Sequence, residues 1–380
     1  MSTRNSSPAP GSGRGQRVTI ADIARRAGVT SAAVSLAVNG RPGVSAATRE
    51  RIMDIARELD WEPSPAARAL AGAPVLTVGM VLARPAEVLG NEAFFGAFTA
   101  GLQEVLSAQD YSLQMKMVES PEAEIETYRR WFAQRRVDGV VMVDLRVDDP
   151  RIPALEEIGQ PALVVGGPGH HGSLPSVYVD DAQATNLLVD HLASRGHSRI
   201  ARVAGTAEFF HTAQRDRAFL GRCTELGIEG SLQDAGYGAQ DAAVATAELL
   251  TATPPPTAII FDSDEMALAG THVLLESGVQ VPEQIAVASY EDSALARTHR
   301  PAITAIGRSA IEYGRLAATR LLEIIAASRK RPQGDATATT AGGAPGSEAA
   351  EVRAIEPVLL VRGSTDPDAE PALSTPPIRG

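Results

Sequence analysis

The chain has 380 residues, room for two or three domains, with a formal net charge of −11 and a single cysteine. No apolar run approaches the length of a membrane span, and residues 1–15 lack the apolar core of an export signal, so a soluble cytoplasmic chain is expected. The lone Cys223 precludes an intramolecular disulfide and suits a reducing compartment; its neighbours predict a buried, inert thiol on a helix face.

Charge is unevenly placed. Residues 1–72 carry +4 and the remainder −15, so a basic head can meet phosphate while an acidic body stays in solution. Residues 18–40, VTIADIARRAGVTSAAVSLAVNG, predict two short helices joined by a tight turn. Thr19 caps the first and Gly28 ends it in a left-handed conformation; Thr30 caps the second, which ends at Asn39-Gly40. Ile20, Ile23, Ala24 and Ala27 form one apolar stripe, and Val34, Ala37 and Val38 form another. Helices this short bury such stripes only by packing on each other and on a third. That third helix is expected over 46–59, capped by Ser45, with Ile52, Ile55, Ala56 and Leu59 inside. The three together predict a helix-turn-helix unit, whose second helix enters the DNA major groove.

From residue 75 the pattern changes to short apolar runs alternating with helical periods. Strands are expected at 77–82, 112–118, 139–144, 162–165, 200–203, 258–261 and 285–288. Helices are expected near 95–109, 122–135, 182–195, 212–226, 239–251, 264–277 and 309–328. Such alternation predicts α/β architecture, parallel sheets covered by helices on both faces. Its length exceeds one comfortable core, so two doubly wound lobes are expected. The glycine cluster Gly166-Gly167-Pro168-Gly169 is expected to carry the first crossing between them. Residues 331–353 are low-complexity and expected to form a surface loop, 358–361 a last strand, and 366–380 a disordered tail.

The stretches VTIADIARRAGVT, AVSLAVNG, VSAATRERI, WEPSPAARALAG and LLVRGST resemble the lactose-repressor/galactose-repressor (LacI/GalR) family of bacterial transcription factors. The resemblance covers about residues 17–330 and 354–365. It implies a headpiece over 16–62, a hinge helix or linker over 63–73, and an effector-binding and dimerisation body over 74–365 that resembles periplasmic sugar-binding proteins. The lobes are expected at 74–165 with 292–326, and at 166–291 with 327–365. In the family the chain crosses again near 291–295 and near the end of the 309–328 helix.

The resemblance also implies site residues. Base readout falls on Ser31, Ala32 and Leu36, with Ala33 and Ser35 on the same helix; many relatives carry arginine where Leu36 stands. Ser31 can hydrogen-bond a base edge, whereas Ala32, Ala33 and Leu36 offer only apolar contact, so direct readout is expected to be sparse. Thr19, Thr30, Asn39, Ser45, Thr48 and Arg49 are the phosphate-contact candidates, though a cap serves equally well at Ser45. Leu70, with Ala67 one turn earlier, occupies the hinge position whose leucine wedges into the minor groove; a plain linker is the other reading. In the body the implied effector residues are Phe95, Asp144, His211, Arg215, Tyr237, Ser263 and Glu291. Aromatic faces suit a sugar's C–H patches, and arginine and carboxylate forks suit paired hydroxyls. Packing roles for Phe95, Tyr237 and Glu291, and an ion pair for Arg215, stay open.

The implied partners are double-stranded operator DNA, a small-molecule effector expected from family usage to be a sugar or sugar derivative, and a second copy of the chain in a homodimer or tetramer. An α/β enzyme fused to a DNA-binding head is the alternative. It lacks support: the chain has no GxSxG, GxxxxGK[ST] or CxxC motif. His170-His171 has no third ligand at suitable spacing, so no metal and no cofactor are expected.

Overall fold

A computed structural model describes residues 18–38, 40–62, 73–84, 90, 92–330 and 351–369. The chain divides into two compact units, residues 1–75 and 76–380, each treated by itself. Among the described residues no helix is long and apolar enough to cross a membrane.

The first unit holds α1 (Ile20–Ala27), α2 (Ser31–Val38) and α3 (Ala46–Glu58). The two predicted stripes meet there: Ile23, Ala24, Ala27, Val34 and Ala37 pack on Ile52, Ile55 and Ala56. Ile23, Val34 and Ile52 are fully buried, each contributing about 1.5–3 kcal/mol that no isolated eight-residue helix could gain. Gly28 sits at φ +64°, and the next amide, Val29, donates back to Ala24 O at 3.0 Å, closing α1 with a left-handed cap. Thr30 Oγ1 accepts from the Ala33 amide at 3.2 Å, and Ser45 Oγ from Thr48 at 3.2 Å. At the start of α1 the Asp22 carboxylate accepts from the Thr19 amide and hydroxyl, at 3.0 and 2.7 Å. These bonds hold its carboxyl below the usual carboxylate range.

The second unit is two parallel six-stranded α/β layers. In the first lobe, β1 (Thr77–Leu82), β2 (Ser112–Met117), β3 (Gly139–Met142), β4 (Ala162–Val165), β5 (Ser176–Val179) and β11 (Glu351–Ile355) lie in the order β11-β5-β4-β3-β1-β2. The second lobe contains β6 (Arg199–Ala204), β7 (Glu229–Asp234), β8 (Ala258–Phe261), β9 (Ala286–Ser289), β10 (Thr304–Gly307) and β12 (Val358–Leu360). Their order is β12-β10-β9-β8-β6-β7, with only β12 antiparallel. The covering helices are α4 (Ala93–Ser107), α5 (Pro121–Ala133), α6 (Arg151–Ile158), α7 (Asp181–Ser194), α8 (Phe210–Leu226), α9 (Ala239–Leu250), α10 (Asp264–Glu276), α11 (Ala294–Thr298) and α12 (Ala310–Lys330). Cys223 is buried on α8, and burial pushes its thiol up to about 11, so it stays protonated.

Three expectations about the path between lobes need correction. The glycine cluster at 166–169 is the β4–β5 turn inside the first lobe. The first crossing comes after Val179, where α7 places Leu188, Val189 and Leu192 in the second lobe's core. The second crossing lies at 307–310, not 291–295: β10 still belongs to the second sheet, while α12 buries Ala317, Leu321 and Ile325 in the first lobe. Residues 351–353, expected in a loop, open β11, which pairs with β5 and returns the chain to the first sheet before β12 crosses back. The 166–179 and 351–355 segments therefore belong with the first lobe. The strands missed, β5, β7, β10 and β11, span four to six residues, and β7, on an edge and largely exposed, lacks an apolar run.

The helices α4 and α12 approach until their backbones nearly touch. A Cβ on Gly101 would lie 2.0 Å from Ile311 O, and one on Gly314 would lie 2.1 Å from Phe98 O. This contact fixes where α12 begins, and with it Arg308 and Tyr313.

Candidate functional site

On the headpiece, Ser31, Ala32 and Ser35 are exposed on α2, while Ala33 and Leu36 are half-buried. The Leu36 side chain lies 3.2 Å from where a Cβ on Gly43 would stand. Several phosphate candidates hold local structure. Thr19 and Thr30 serve the caps described above, the Ser45 and Thr48 hydroxyls lie 2.8 Å apart, and Arg49 donates to Arg41 O at 2.6 Å. Capping and phosphate contact use different lone pairs and protons of a hydroxyl, so the two roles are compatible. Asn39, Ala67 and Leu70 lie outside the described residues, as does most of the 63–73 hinge.

In the body, Phe95, Asp144, His211, Arg215, Tyr237, Ser263 and Glu291 all line one cavity between the lobes, about 780 Å³ including its mouth. The sheet topology explains the convergence. Asp144 lies two residues past β3, Ser263 two past β8 and Glu291 two past β9, all at carboxyl ends of parallel strands. The same rule finds residues that motif matching missed: Arg84 two past β1, Asp181 two past β5, and Arg308 one past β10.

The charged groups form two clusters. On the first lobe, Arg84 donates to both Asp144 oxygens at 2.8 and 3.0 Å and to Glu92 at 2.7 Å. Its guanidinium lies 5.6 Å from the Phe95 ring and, across the cleft, 4.4 Å from Phe209 and 5.0 Å from Tyr237. Burial, with Glu291 and Asp144 nearby, pushes the Glu92 carboxyl up to about 7 against the pull of Arg84. Asp144 itself sits at φ +54°, a conformation aspartate tolerates, and Arg151 holds its carbonyl at 2.6 Å. Arg151 is anchored in turn by Asp149 at 2.6 Å and Glu124 at 2.9 Å, all three side chains buried. Glu124 also accepts from the Ala83 amide at 3.1 Å, so one network fixes the backbone beside both Arg84 and Asp144.

On the second lobe, Arg215 lies on Asp181 at 2.8 Å and Asp262 at 3.4 Å, 4.3 Å above the Tyr290 ring. The ion pair left open above is thus present at Arg215, which also faces the cavity. Burial disfavours ionised Asp262, yet Arg202, Arg215 and the Gly205 amide outweigh it and hold the carboxyl below its usual range. His211 Nε2 and Tyr237 Oη are 2.5 Å apart. Burial, then the Arg215 and Arg84 charges, drive the imidazole's pKa well down, so it is a neutral hydrogen-bonding group. Ser263 caps α10 through the Met266 amide at 3.2 Å.

The lobes also grip each other at the rim. The Phe210 amide donates to Leu145 O at 2.7 Å, and the Val147 amide to Glu208 O at 3.1 Å. Phe210, on the second lobe's first helical turn, packs into the first lobe's core with Leu145, Ile152 and Leu174. His170 lies 4.4 Å from the Phe210 ring, and His171 faces Leu174 O at 2.6 Å; both histidines of the sequence pair have structural partners.

A helix-turn-helix headpiece and a two-lobed body of this topology define a DNA-binding regulator of transcription. The profile for bacterial regulatory proteins of the lacI family matches residues 19–64, and that for a periplasmic binding protein-like domain matches 189–341. The transcriptional regulator CelR of Thermobifida fusca is 32% identical over 84% of this chain and 95% of its own. Catabolite control protein A of Priestia megaterium is 26% identical over 79% of this chain and 90% of its own. Among solved structures, a LacI family transcriptional regulator from Bifidobacterium animalis subsp. lactis DSM 10140 aligns with a TM-score of 0.67 at 33% identity, covering 78% of this chain and 100% of that one. A CelR–cellobiose complex aligns with a TM-score of 0.66 at 27% identity, covering 92% and 100%. The chain belongs to the LacI family of bacterial transcriptional regulators. These relatives are regulators, not enzymes.

Proposed function

We propose that this cytoplasmic protein is a repressor that binds a pseudo-palindromic operator as a homodimer and is controlled by a sugar held between its lobes. One observation carries the effector reading: aromatic rings, a neutral imidazole and charged forks converge on one interlobe cavity at the carboxyl ends of the strands. A CelR relative solved with cellobiose supports a saccharide as the class to try first. Two headpieces are needed for a usable footprint, which favours a dimer. Closure of the lobes on effector then shifts how paired headpieces meet DNA, which is linkage between two binding sites. The test is a footprint of the purified protein across its own gene neighbourhood, titrated with a sugar panel. No protected site, or protection indifferent to every sugar, would remove the operator or the effector reading respectively.

Two variants divide the proposal. Leu70→Ala is expected to weaken specific operator binding by about tenfold or more while non-specific binding changes little, as for a minor-groove wedge. Equal loss on both DNAs in anisotropy titrations would make 63–73 a plain linker. Tyr237→Phe keeps the ring and removes the hydroxyl beside His211 and Thr212. Its expected result is a sugar response shifted to about tenfold higher concentration, with operator affinity retained.

A further inference from the structure

The cavity's charge balance restricts which saccharide it can take. Every guanidinium lining it is already committed to carboxylates: Arg84 to Asp144 and Glu92, Arg215 to Asp181 and Asp262, and Arg308, at 3.5 Å each, to Asp181 and Glu291. Carboxylates outnumber guanidinium groups along the lining: Glu92, Asp144, Asp181 and Glu291 face Arg84, Arg215 and Arg308. Glu291, whose carboxylate has only that 3.5 Å contact with Arg308, is the most weakly partnered ion facing the cavity. Burial raises its carboxyl, Asp264 and Asp262 add to the rise, and Arg308 and Arg215 oppose it. Burial is the main cause of that rise; the shortage of positive partners is seen in the long contact to Arg308.

An anionic ligand entering this site would have to strip an arginine from its carboxylates or sit against the weakly partnered Glu291. A ligand ammonium would instead supply positive charge beside Glu291, the carboxylate least well partnered by the cavity's arginines. We propose that the effector is a saccharide bearing a protonated amine, its ammonium in the field of Glu92 and Glu291, and that sugar acids and sugar phosphates are rejected. The proposal rests on the interlobe cavity being the effector site.

A matched series tests it by calorimetry on the full chain: the β-1,4-linked disaccharide of glucosamine, cellobiose, and cellobiose 6-phosphate. The amine is expected to bind about tenfold or more tighter than cellobiose, and the phosphate about tenfold or more weaker. In Glu291→Gln, and independently in Glu92→Gln, the amine's advantage should shrink to about threefold or less. Operator binding and a melting curve on the same samples show that each variant is folded. Phosphate or neutral sugar binding as tightly as the amine overturns the proposal, and so does an amine advantage that survives both substitutions. If none of the three binds, the charge assignment falls, while the wider sugar panel on the operator complex still decides the effector reading.

Discussion

Arg215→Ala is expected to destabilise the body by about 3–5 kcal/mol, because it leaves buried carboxylates without their partner. The guanidinium is 2% exposed, lies on Asp181 and Asp262, and stacks over Tyr290. Arg202 still holds Asp262 at 2.7 Å, which sets the loss toward the lower end; Asp181 retains only Arg308 at 3.5 Å. Urea unfolding followed by circular dichroism measures the loss. A change under about 1 kcal/mol would place these ions in the regime of exposed pairs, where solvent replaces a lost partner. The consequence for function is direct. The ion pairs make Arg215→Ala a stability variant whatever it does to effector binding, and Tyr237→Phe the cleaner probe.

Gly314→Ala is expected to cost about 3 kcal/mol, at the upper end of overpacking, because the new methyl meets a backbone carbonyl that cannot rotate away. Its Cβ would stand 2.1 Å from Phe98 O and 2.8 Å from Leu102 N, so α12 must move off α4. That movement would carry Tyr313, whose hydroxyl donates to Val177 O at 2.9 Å, and Arg308 at the cavity wall. Gly221→Ala in α8 is the control: nothing lies within 4 Å of its Cβ, and the substitution is expected to stabilise by about 0.5–1 kcal/mol through helix propensity. Thermal melts of the pair separate the two effects. Similar small changes in both would mean that α4 and α12 separate at little cost.

The headpiece was the most legible part of the chain. Its caps, Gly28 and two apolar stripes act within a few residues of each other, and local chemistry of that kind is written in consecutive letters. Thr19 is an instance: it and Asp22 form a capping box at the start of α1. In the body, strands that are apolar throughout, such as β3, β4 and β8, announced themselves as buried parallel strands. The polar edge strand β7 did not, because half its surface faces water.

The seven effector candidates named by family resemblance line one cavity, and Arg84, Asp181 and Arg308 line it with them. Arginine and aspartate are ordinary surface residues unless the strand end that carries them is known. Once β1, β5 and β10 are placed, their position just past the carboxyl ends singles them out. The balance of charge in the cavity was not readable from any one of these residues. It depends on which carboxylates each guanidinium reaches along the chain, as Arg84 reaches Glu92 8 positions away and Asp144 60 away.

By itself, then, the sequence determined the class of the headpiece helices and of the fully apolar strands, the order of headpiece and body, and the acidic character of the body, since periodicity, capping and charge are properties of neighbours. Only the tertiary structure decided where the chain passes between lobes, that Phe210 of the second lobe plugs the first lobe's core, and that the cavity's arginines are already paired. Those outcomes depend on contacts between residues far apart in sequence, and only the packed fold selects among them.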